Sequence, residues 1–128
     1  MDPVTHGLAG AVLAQAGFHQ QWGYQATIAL TAGALIPDID VFWSPAKDVV
    51  ALETHRGITH SFVGALALAV TLGLIVRLMG PEKRWSLLAG LALLGIVVGH
   101  LFLDLITSYG IQLFLPFSNV RPAWDLVF

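Results

Sequence analysis

The chain has 128 residues, of which 56% are apolar and 11% charged, with 13 glycines, no cysteine and a formal charge of −2. A soluble domain carries about 25% charged residues, so this composition excludes one, and it excludes disorder as well. No basic run marks a nucleic-acid partner, and without cysteine any metal chemistry falls to His, Asp and Glu.

The opening Met1-Asp2-Pro3-Val4-Thr5-His6 lacks the cationic stretch of a signal peptide, so the apolar segments that follow are read as part of the mature protein. From Pro3 to Pro37 there is no Asp, Glu, Lys or Arg, and the polar, aromatic Phe18 to Tyr24 divides the stretch. This predicts helices over about 3–17 and 25–36, roughly 22 and 18 Å long, which cross a hydrocarbon core of about 30 Å only if tilted or extended. Val41 to Thr54 reads as a polar loop. Gly57 to Val76 holds His60 as its one ionisable group, and a helix over about 58–79 is long enough to span. Gly80-Pro81 breaks it. A fourth helix over about 85–106 is the most apolar and contains Gly95-Ile96-Val97-Val98-Gly99, a small-xxx-small spacing that admits a neighbouring helix at close range. Ser108 to Phe128, rich in aromatics and proline, is expected to lie along the interface. Trp22, Tyr24 and Trp85 would mark one interface, and Trp43, Tyr109 and Trp124 the other. The expected architecture is a single all-α domain over 1–128, an integral membrane bundle of about four transmembrane helices with a polar loop and an interfacial C-terminal tail.

Folding four spans alternately sends the chemistry to one end. His6 opens the first helix, Asp38 and Asp40 close the second, His55, Arg56 and His60 open the third, and His100 and Asp104 close the fourth. The other end receives His19, Arg77, Glu82, Lys83 and Arg84. His100 and Asp104, four apart, share a helix face, and both sit in an apolar span where a charge costs about 2.5–3.5 kcal/mol. Asp38 and Asp40 point the same way if the chain after Pro37 is extended. His55 and His60 reach one centre only if His55 precedes the helix, with Gly57 as the break. The metal-ligand candidates are therefore His6, Asp38, His55, His60, His100 and Asp104, enough for one divalent cation or for two sharing a carboxylate, with Zn²⁺ or Mn²⁺ suiting the donors. Asp40 is the candidate general base, and Arg56 the clamp for a phosphate or carboxylate.

These residues resemble the YdjM-type, LexA-regulated family of membrane-bound metal-dependent hydrolases. The matching segments are Thr5-His6-Gly7, Pro37-Asp38-Ile39-Asp40, His55-Arg56-Gly57-Ile58-Thr59-His60-Ser61, and Gly99-His100 through Asp104 to Thr107-Ser108-Tyr109-Gly110. The resemblance implies a multi-pass protein of the inner (cytoplasmic) membrane and a hydrolase. It also implies further hydrophobic sequence after Trp124 to Phe128, so this chain reads as a short or truncated member.

The expected function is metal-dependent hydrolysis of a phosphoester, phosphatase- or phospholipase-like, on a lipid or lipid-linked phosphate, because the site opens at headgroup level. Membrane lipids are then the partners, with no nucleic acid; the sequence leaves the oligomeric state open. The rival readings are an ion- or proton-coupled transporter, a haem-binding bundle and a non-catalytic membrane bundle. A transporter needs polar groups through the membrane depth, and haem leaves the aspartates without a role. Basic residues are tied at three on each side, and discounting Arg56 places the Gly80 loop in the cytoplasm and the site outside.

Overall fold

The computed structural model describes residues 2–42 and 57–127, in which the regular structure is helical, with no strand among them and an irregular tail after Leu105. Helix α1 (Pro3–Leu13) starts where Asp2 accepts hydrogen bonds from the Thr5 amide (2.9 Å) and hydroxyl (2.6 Å), with proline at the first position, where no amide hydrogen is needed. A kinked turn (Ala14–Phe18), in which Ala16 and Gly17 leave helical backbone geometry, leads into α2 (His19–Leu35). Gly17 (φ 122°) and Gly23 (φ 68°) adopt conformations that side-chain-bearing residues resist, and they bracket the reversal expected at Phe18 to Tyr24. That reversal is a short helical segment rather than an open turn.

After α2 the chain tightens into a 3₁₀ helix, Ile36–Phe42. The extended backbone on which a common direction for Asp38 and Asp40 depended is therefore not formed. A second 3₁₀ turn, Ile58–His60, precedes α3 (Phe62–Arg77), which begins later than residue 58 because the Ser61 side chain caps it, accepting from the Gly64 amide at 3.0 Å. Helix α4, Trp85–Leu105, is continuous, with π-helical geometry over Gly95–Leu101. The tail returns along its end: the Trp124 amide donates to Leu105 (2.8 Å) and the Leu126 amide to Ile106 (2.9 Å), while Ile111 is buried.

Small residues carry the helix crossings. Gly10 of α1 lies against Leu30 and Thr31 of α2; Gly33 of α2 against Ala92 of α4; Gly95 and Gly99 of α4 against Leu30 and Ala34; and Gly73 of α3 against Ala89. The 95/99 spacing is thus a working α2–α4 contact. At the end away from the histidines, the buried Gln25 side chain ties α2 to the end of α3 and the α3–α4 loop, donating to Val76 (3.0 Å) and Glu82 (3.2 Å) and accepting from the Glu82 amide (2.7 Å).

The outer surface is apolar: Val4, Leu8 and Val12 on α1, Leu66, Leu74 and Ile75 on α3, and Val97, Val98 and Phe102 on α4 are all exposed, while His6, Gln25, His60, His100 and Asp104 are buried. Among the described helices, α4 alone is long and apolar enough to cross a membrane, with 21 residues and a mean hydropathy of 2.3; α3 is a shorter apolar helix.

Candidate metal centre

Five of the candidate residues meet at one end of the bundle, each delivered by a different turn of chain or face. His6 lies in the first turn of α1, Asp38 in the 3₁₀ helix after α2, His60 in the 3₁₀ turn before α3, and His100 and Asp104 on α4. All are buried, the three histidines completely. His55 and Arg56 lie outside the described residues, as does the side chain of Asp40, whose backbone belongs to the Ile36–Phe42 helix.

Each histidine is held through Nδ1. His6 Nδ1 is 3.0 Å from the Gly99 carbonyl oxygen, and His100 Nδ1 is 2.6 Å from that of Ala34. A carbonyl can only accept, so both rings carry their proton on Nδ1 and present the Nε2 lone pair inward. The carbonyls are available for local reasons. Ala34 is in the last turn of α2, where intrahelical donors run out and Pro37 has no N–H to offer; Gly99 lies in the π-helical stretch, where the regular ladder is shifted. Near His60 Nδ1 stands the Thr59 hydroxyl, 3.1 Å away, which can donate or accept.

The inward atoms converge on the two carboxylates. His6 Nε2 is 3.5 Å from Asp104 Oδ1 and has no hydrogen-bond partner among the described residues. His60 Nε2 is 3.5 Å from Asp38 Oδ1 and 3.6 Å from Asp104 Oδ2; His100 Nε2 is 3.5 Å from each of the same oxygens. The His60 and His100 Nε2 atoms are 2.9 Å apart. Burial works against the Asp38 carboxylate, but His60, His100 and His6 beside it outweigh burial and hold its carboxyl below the ordinary value.

Two imidazole lone pairs and two carboxylates turned toward one buried space, with His60 beside them, are an arrangement that a cation would satisfy. Donors about 2.1 Å from one tetrahedral ion lie about 3.4 Å from each other, and about 3.0 Å where their angle closes to 90°. The separations of 3.5, 3.6 and 2.9 Å fall around these values. The residues present therefore fit a divalent metal, and the Nδ1 contacts are the orienting bonds that metal-ligating histidines use. Sequence reasoning missed those orienting groups: Thr59, although it adjoins His60, and the carbonyls of Ala34 and Gly99, which no side-chain pattern can reveal.

Bacillus subtilis (strain 168) YfhP, described as an uncharacterized protein, is 31% identical across 99% of this chain, and the chain spans 41% of that relative's length. No solved structure matches. The family described as YdjM inner membrane protein matches residues 1–128, the whole chain, so the protein belongs to the YdjM inner membrane protein family.

Proposed function

We propose that the protein is a multi-pass membrane hydrolase that cleaves phosphoesters of lipids or lipid-linked phosphates at a metal centre held by His6, Asp38, His60, His100 and Asp104. The observation that carries the reading is the convergence of three Nδ1-anchored imidazoles and two carboxylates in a buried site, at separations that suit ligands of a common cation. Bound there, a divalent cation lowers the pKa of a water molecule towards neutrality and offsets charge on phosphate oxygens. The protein's own groups do the rest. His6, His60 and His100 orient through their Nδ1 atoms; Asp40 takes a proton from the attacking water; Arg56 holds the phosphate; His55, beside it in the chain, is a further ligand.

Membrane crossing by four helices is supported by the surfaces of α1 and α3. Leu8, Val12, Leu66 and Leu74 expose the same apolar character as Val97 and Val98 on the spanning α4, packed alongside. Water would not favour such a surface, and lipid does. Aromatic rings at the site end, where Phe102 meets Trp124 and Phe62 meets Phe114, suit headgroup depth and hence a lipid-borne substrate.

Metal analysis of protein purified without chelators tests the proposal, coupled to a screen of phosphomonoesters, phosphodiesters and phospholipids. At least one transition metal per chain, lost in His100→Ala and Asp104→Ala together with hydrolysis, is the expected result. Less than one metal per chain in the wild type, unchanged in both variants, overturns it. Metal binding with ion flux in proteoliposomes and no hydrolysis overturns the enzymatic part in favour of transport.

A further inference from the structure

The tail that follows α4 satisfies backbone groups at two helix ends. The Trp124 amide donates to the Leu105 carbonyl (2.8 Å), and the Leu126 and Val127 amides donate to that of Ile106 (2.9 and 3.1 Å), where α4 has run out of its own donors. The Phe62 amide, in the first turn of α3 and without an intrahelical acceptor, donates to the Leu113 carbonyl at 3.0 Å. These two ends deliver the site: His60 lies two residues before Phe62, and Asp104 one residue before Leu105. The legs of the tail are also joined to each other. The Ile111 amide donates to Pro122 (3.3 Å), and Gly110 (φ 66°) lies so close that a Cβ there would stand 2.8 Å from the Pro122 carbonyl oxygen. Ring contacts repeat the pattern, with Phe114 of the tail 5.9 Å from Phe62 and Trp124 6.1 Å from Phe102 between centroids.

The outward side of this tail is apolar. Phe114, Val120, Trp124 and Leu126 are exposed and Phe117 is 87% so. Residues 107–127 carry two charged side chains, Arg121 and Asp125, and Asp125 accepts from the Ser108 hydroxyl. Through Phe62 and Phe102 the surface runs into the exposed apolar faces of α3, at Val63 and Leu66, and of α4, at Val97 and Val98. Helix α4 is long and apolar enough to cross the membrane, so its outer face meets lipid, and the tail continues that face to the depth where aromatic rings are favoured. We infer that the tail is a clasp seated on lipid at headgroup depth, which holds the start of α3 to the end of α4 and so fixes His60 against Asp104. Its partner is the lipid surface, because the apolar skin of the spanning helix passes into the tail without a polar break. The hold on His60 and Asp104 rests on the metal-centre reading above; the seating and the clasp stand on the tail's own contacts.

The chain has no cysteine, so single substitutions Phe117→Cys, Val97→Cys and Lys83→Cys carry a nitroxide without background. In vesicles of phosphatidylethanolamine and phosphatidylglycerol, collisions with oxygen and with a water-soluble nickel chelate read the depth of each label by electron paramagnetic resonance. The label at residue 117 is expected between those at 97 and 83. Nickel contact equal to that at residue 83, or little contact with either reagent as beneath a second protein chain, overturns the lipid seating; depth equal to residue 97 overturns the headgroup level. Phe62→Pro tests the clasp. Proline suits a first helical position, and Ser61 already has the extended backbone that must precede it (φ −90°, ψ 163°), so the change removes the amide that reaches Leu113 and leaves α3 its start. Against Phe62→Ala, which loses the ring alone, it is expected to free the motion of the label at 117 and to weaken Mn²⁺ binding, in a titration of metal-stripped protein, by about tenfold. Phe114→Ala, which leaves the α3 backbone untouched, is expected to free the label in the same direction. Unchanged label motion in both Phe62→Pro and Phe114→Ala overturns the clasp, and freer motion with unchanged Mn²⁺ affinity overturns its hold on His60 and Asp104. No Mn²⁺ binding by the wild type overturns the metal-centre reading instead, and label depth and motion then decide the clasp alone.

Discussion

Replacing Gly10 by alanine asks whether helix contact and metal centre are one structure. A Cβ at residue 10 would lie 2.7 Å from the Leu30 carbonyl oxygen, 2.8 Å from Thr31 Cα and 3.0 Å from Ala34 Cβ. Restoring ordinary contact of about 3.4 Å moves α1 away from α2 by about 0.7 Å. His6 stands one turn earlier on the same helix face, and a shift of that size taken along its 3.0 Å bond to Gly99 would carry it to about 3.7 Å, beyond hydrogen-bond length. Overpacking costs about 1–3 kcal/mol, the lost buried hydrogen bond about 1–3, and alanine's better helix propensity returns about 1, for a net destabilisation of about 1–5 kcal/mol. Gly90→Ala is the matched control, because nothing lies within 4 Å of a Cβ there, and it should stabilise by up to about 1 kcal/mol. Unfolding of the purified protein by SDS in mixed micelles measures both, and Mn²⁺ binding reads the effect at His6. If Gly10→Ala were as stable as Gly90→Ala and bound Mn²⁺ like the wild type, the coupling of crossing to site would be refuted.

Other outcomes are equally specific. Asp104→Asn keeps the shape of the side chain but removes the charge that faces three imidazoles, and should weaken Mn²⁺ binding by about a hundredfold or more, read by the same titration. Gln25→Ala breaks one hydrogen bond to Val76 of α3 and two to Glu82 in the α3–α4 loop, and should cost about 2–4 kcal/mol in SDS unfolding without changing metal stoichiometry. The Arg84 side chain and amide hold the Glu82 carboxyl down at about 2 from an ordinary 4.5. A depressed carboxyl stabilises the fold above its unfolded value, so this contribution is complete above about pH 5 and fades as pH falls from 4.5 towards 2. Glu82→Gln should therefore differ from wild type in unfolding at pH 6, with the difference shrinking steadily as pH falls towards 2.

Helical class and the converging end were readable from the chain, and the reasons are local. Long runs without Asp, Glu, Lys or Arg have one stable backbone solution in an apolar medium, and alternating their direction sends His6, Asp38, His60, His100 and Asp104 to the same end. The i,i+4 spacing of His100 and Asp104 carries over directly into a 3.5 Å approach, because a helix keeps that geometry whatever surrounds it. Spacing was a poorer guide where the backbone depended on its neighbours. The chain through Asp38 and Asp40 is a 3₁₀ helix rather than an extended strand, and the start of α3 moved to Phe62 because Ser61 caps it.

By itself, the sequence determined the solvent the protein is built for, the residue types available for chemistry and the end of the bundle at which they gather, since composition and helical period act within single segments. Only the tertiary structure decided how those residues face one another. The stacking of His6 on His100, the placing of Asp104 between them and the capture of their Nδ1 protons by Gly99 and Ala34 all depend on how closely α1, α2 and α4 approach. That distance is set where Gly10, Ala34 and Gly99 meet, by side chains too small to hold the helices apart.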